Sequence, residues 1–78
     1  MNKFQAMAQI MAILCEDGSF PKGSHRYKLA RKHVATKIDT MGPDAAYNQV
    51  KWSKYTLLVE IEGLQKAERA GKILSNFI

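Results

Sequence analysis

The chain has little that could staple it together. Cys15 is the only cysteine among 78 residues, which excludes an internal disulfide and any four-cysteine zinc module and points to a reducing compartment. The two histidines, His25 and His33, are eight residues apart, so on one helix they differ by about 80° and cannot chelate one ion unaided. No run reaches the ~18 apolar residues needed to cross a bilayer. The apolar stretch Phe4 to Cys15 is broken by Gln5 and Gln9, follows a single cation and places large Leu14 before the cysteine; it is not expected to be a targeting signal, and a cytoplasmic protein is expected. The chain also lacks G-x-S-x-G, G-x-G-x-x-G, H-E-x-x-H and a phosphate-binding P-loop. Glu60 and Glu62, two apart, do not share a helical face. No enzyme, no metal site and no cofactor is expected.

One further absence is local. From residue 18 to residue 38 there is no Asp or Glu, while Lys22, Arg26, Lys28, Arg31, Lys32 and Lys37 all fall there. That segment carries +6 of a net charge of +5, leaving −1 for the remainder. Basicity is therefore concentrated in one segment, which attracts phosphates, acidic protein surfaces or anionic lipid.

What is present reads as one folded, all-α domain. Apolar residues make up 46% of the chain and charged residues 24%, a globular rather than a disordered balance. Asn2 and Gln5 form a capping-box pattern before Phe4, Met7, Met11 and Leu14, which recur at helical spacing, and Gly18 supplies a stop. Glu16 and Asp17 at the end of that helix oppose its dipole unless a cation compensates, and the basic segment is the expected source. Ser24 is a good N-cap for a second helix whose stripe is Tyr27, Ala30, Val34, Ile38 and Met41, with Gly42 as its stop. Pro43 and Asp44 open a third helix. The expectation is a small bundle of three helices, about 3–16, 24–41 and 44–77, the last bent near Gly63 or buried on both sides. Tyr55 to Ile61 also alternates like a half-buried strand, but no second segment offers it a partner.

Two candidate surfaces follow. On the second helix, turning by 100° per residue from His25 puts Arg26, His33 and Lys37 at about 80–120° and Lys28 and Lys32 at about 300–340°, clear of the apolar stripe. The candidate anion-binding set is Lys22, Ser24, His25, Arg26, Lys28, Arg31, Lys32, His33 and Lys37, with free amides at the helix start suited to a phosphate. A helix-turn-helix can also be drawn through the Gly42-Pro43 corner, with Asn48, Gln49, Lys51, Ser53 and Lys54 as reading residues.

The second surface is the stripe Trp52, Tyr55 and Val59, continued by Ile73, Leu74 and Phe77, which suits a subunit or partner interface. A chain this short cannot cover both sides of a long helix by itself, so a homo-oligomer is expected. The functional expectation is a small non-enzymatic binding protein that engages nucleic acid, a nucleotide or an acidic protein surface through Lys22 to Lys37. The alternative is a regulator or counter-defence inhibitor of the kind phages encode, acting through the aromatic face. A third reading is a basic amphipathic module lying on anionic membrane.

Overall fold

The computed structural model describes residues 1–76, with side chains described as far as residue 71. Four helices follow in order: α1 (Lys3–Cys15), α2 (His25–Met41), α3 (Pro43–Trp52) and α4 (Lys54–Asn76). The all-α expectation holds, and Tyr55 to Ile61 is helix; the expected count of three helices is wrong. The third segment is two helices, and the break falls at Ser53 rather than near Gly63, through which α4 runs on.

The physical reason is length. An unbroken helix over 44–77 would be ~50 Å long, against ~20 Å for α1 and ~26 Å for α2. Short neighbours cannot cover such a rod, so the chain folds α3 back against α1 and α2 and lays α4 along α2. Ser53 leaves the helical conformation (φ −150°, ψ 83°) while its N–H still donates to Gln49 O at 2.9 Å. Its hydroxyl lies 2.9 Å from that of Thr56, on the first turn of α4.

The other helix ends are as the sequence indicates. Asn2 Oδ1 accepts from Gln5 N–H at 2.8 Å, and Gln5 Oε1 accepts from Asn2 N–H at 3.0 Å. Ser24 Oγ accepts from Tyr27 N–H at 3.1 Å and donates to Pro21 O at 2.7 Å. Gly42, at φ 91°, turns the chain between α2 and α3 in a conformation that only glycine adopts cheaply, its N–H donating to Ile38 O.

The core is built mainly from residues four apart: Ala6, Ile10 and Leu14, joined by Met11, on α1; Ala30, Val34 and Ile38 on α2; Ala46 and Val50 on α3; and Leu57 and Ile61 on α4. Each helix except α4 contributes an alanine, which lets backbones approach. Phe20 is also fully buried, although it sits in the loop and no periodicity marks it. Phe4, expected on the buried stripe of the first helix, is instead 81% exposed, because the stripe that faces inward is Ala6, Ile10 and Leu14. The acids at the end of α1 are compensated by Lys54, 3.4 Å from Glu16 and 3.6 Å from Asp17, and not by the basic segment. A hydrogen bond from Ser19 holds the Asp17 carboxyl below its ordinary range. Among the described residues no helix is long and apolar enough to cross a membrane.

Candidate anion-binding face of α2

Helix α2 lies between α1 and α4, and this position decides the fate of its cations. The flank at Arg26, His33 and Lys37 turns onto α4. There Arg26 pairs with Glu62 at 2.6 Å, and Lys37 Nζ donates to both oxygens of Glu60 at 2.8 and 3.0 Å. His33 Nε2 stands 3.0 Å from the same Glu60, and His25 Nε2 stands 2.8 Å from Glu68. Two rows of cations therefore do not face outward, as the helical wheel alone suggested: one row is consumed within the fold.

Glu60 and Glu62 serve opposite edges of α4. Being two apart, they diverge by ~200° around the helix and straddle the buried Leu57 and Ile61. Burial by itself would raise the Glu60 carboxyl, but hydrogen bonds from Lys37 and His33, and their charge, outweigh it and hold Glu60 below its ordinary value. Lys37 is only 10% exposed, so this cation has left most of its hydration for the pair. The Arg26 guanidinium stands over the buried Phe20 ring, 4.7 Å from its centroid. Its Nε is shielded from water without a hydrogen-bond partner.

The remaining candidates sit differently. Ser24 is occupied as the helix cap, and with the side chains of His25 and Arg26 drawn to α4, the start of α2 is not gathered around a phosphate. Lys28, Arg31 and Lys32 are exposed, and so is Lys22 in the preceding loop. Spaced by three and four, Lys28, Arg31 and Lys32 are neighbours on the helix surface.

The pairing of acids explains why these cations stay bare. All seven Asp and Glu side chains are within ion-pair distance of a basic group: Asp44 of the amino terminus, Asp39 of Lys3, Glu16 and Asp17 of Lys54, and the three glutamates of α4 as above. No acid is left for Lys22, Lys28, Arg31 or Lys32 among the described residues. Beside them is a residue the sequence reading assigned to the core. Exposed Phe4 shares a groove of about 220 Å³ with half-buried Tyr27 and Arg31, between α1 and α2. The signal that could have found it is the competing stripe Ala6, Ile10 and Leu14, which leaves Phe4 on the outer side of its helix.

The second predicted surface is also open. Trp52 is 86%, Tyr55 74% and Val59 52% exposed. The predicted continuation at Ile73, Leu74 and Phe77 lies outside the described side chains. The drawn helix-turn-helix does not form as expected: the Ser53 break divides its reading residues between two helices, Gln49 is half-buried, and Lys54 is engaged by Glu16 and Asp17. Leu29 is half-buried and lines a further groove with Leu64 and Ala67. No protein-family model, curated protein or solved structure matches the chain.

Proposed function

We propose that the chain is a small non-enzymatic binding protein that engages nucleic-acid phosphates through the outer flank of α2. The observation that supports this reading is the trio Lys28, Arg31 and Lys32, adjacent, exposed and without an acid among the described residues, in a fold whose Asp and Glu side chains all lie beside other basic groups. Lys22 extends the patch by one charge, and Phe4 beside Arg31 offers a ring on which an unpaired base can stack. An open helical flank with an exposed aromatic suits a flexible single strand, whereas a free nucleotide is better held by an enclosing pocket.

The test is the anisotropy of a fluorescein-labelled oligodeoxythymidylate titrated with the protein over a range of salt concentrations. Four phosphate contacts give a slope of log affinity against log salt of about −3 on a single strand. The triple variant Lys28→Glu/Arg31→Glu/Lys32→Glu loses at least about a hundredfold in affinity, and Phe4→Ala about tenfold. Binding that ignores salt, or survives the triple variant, sinks the proposal, as does the absence of binding.

A further inference from the structure

A second surface has a different character. Between the outer face of α4 and the loop leading into α2 runs a groove of about 540 Å³, within the range of about 300–1,000 Å³ common for ligand clefts. Tyr55, Leu58 and Val59 make its apolar wall. Arg26, Glu62 and Lys66 make its charged end, where Arg26 and Glu62 neutralise each other and Lys66 has no acid among the described residues. Gly63 also lines it, and a Cβ built there would meet nothing within 4 Å. The fold itself therefore does not require glycine at that position, and its bareness keeps the groove open.

We infer that this groove docks a segment of a partner protein that presents an apolar side chain next to a carboxylate. The apolar side chain lies against Leu58 and Val59, and the carboxylate pairs with Lys66. Charge selects this occupant over the alternatives. A second copy of the chain is a poorer match, because it carries a net charge of +5 and each of its Asp and Glu side chains already lies beside a basic group of its own, so it would bring further cations toward Lys66. Nucleic acid is poorly matched, since the groove carries one bare cation and the Glu62 carboxylate on its wall, in contrast to the three acid-free cations of α2. Aromatic and aliphatic side chains that are exposed together, as Tyr55 and Val59 are, provide the anchoring area typical of protein interfaces.

The test uses the full chain and a short fluorescein-labelled peptide in which leucine and glutamate alternate at helical spacing. Two counterparts accompany it, one with lysine for each glutamate and one with glycine for each leucine. Anisotropy is expected to show saturable binding of the first peptide alone. Lys66→Glu removes the pairing charge, and Gly63→Leu fills the groove on a helix that tolerates it; each weakens binding by at least about tenfold. Circular dichroism confirms that both variants keep their helices. The triple variant on α2 binds the peptide within about twofold of the parent, which separates this surface from the nucleic-acid site. The inference is overturned if no peptide binds, if the lysine peptide binds as well, or if Lys66→Glu and Gly63→Leu bind normally. It is equally overturned if oligodeoxythymidylate or phosphatidylserine vesicles displace the peptide, or if sedimentation shows a dimer that Gly63→Leu abolishes.

Discussion

Glu60 holds two side chains of α2 at once, and this single carboxylate shows how the fold spends its acids. Lys37 reaches both of its oxygens and His33 one of them, so removing the charge leaves a largely dehydrated ammonium without its partner. The Glu60 carboxyl is held below its ordinary value of 4.5 in the folded chain. A depressed folded value means that the ionised form contributes stability above the ordinary carboxylate range, and that this contribution is lost as pH falls through the folded value. Glu60→Gln is therefore expected to cost about 1–2 kcal/mol at pH 7 and to flatten the loss of stability between about pH 5 and pH 3. Urea midpoints across that range for both proteins check it; parallel curves would show that the pair contributes nothing to acid sensitivity.

Among the described residues, α4 has a larger share of exposed side chains than the other helices. It runs antiparallel to α2, passes Glu62 beside Arg26 and Glu68 beside His25, and continues to Asn76. Gly63 in its middle has the full backbone freedom of glycine in the unfolded chain and no packing role in the folded one. Gly63→Ala is expected to stabilise the protein by about 0.5–1 kcal/mol, measured as a rise in thermal midpoint; a loss of stability would mean that the backbone there needs glycine. The caps at Asn2, Ser24 and Gly42 and the start at Pro43 were legible in the sequence because each acts within one turn of its own chain. The break at Ser53 was not. Tyr47, Val50, Leu57 and Ile61 share one face on a continuous wheel, and neither proline nor glycine marks the place, so local pattern favours a single helix where only the span of its neighbours demands two.

At the scale of the molecule, the length of α4 sets the shape. The radius of gyration is 13.5 Å and the extents are 45 × 26 × 20 Å, whereas a compact chain of this length has a radius of about 11.5 Å. Small-angle scattering is expected to return the larger value with an elongated profile. A radius near the compact value would contradict the straight course of α4 beyond its neighbours. The elongated form keeps the bare cations of α2 and the aromatic row of Trp52 and Tyr55 on separate surfaces, so that one small chain presents two chemically distinct faces.

The sequence by itself determined the helical class, the caps, the i, i+4 core of α2 and the concentration of positive charge between residues 18 and 38, since all of these are properties of neighbours along the chain. It also held the two cation rows of α2 and the two glutamates of α4 in plain view. Only the tertiary structure decided which row meets which acid. Electrostatic pairing depends on distance through space, and His33, Lys37 and Arg26 are more than twenty residues from the glutamates that engage them. The same packing that withdrew those three side chains from the surface left Lys28, Arg31 and Lys32 on it, and it turned Phe4 outward to stand beside them.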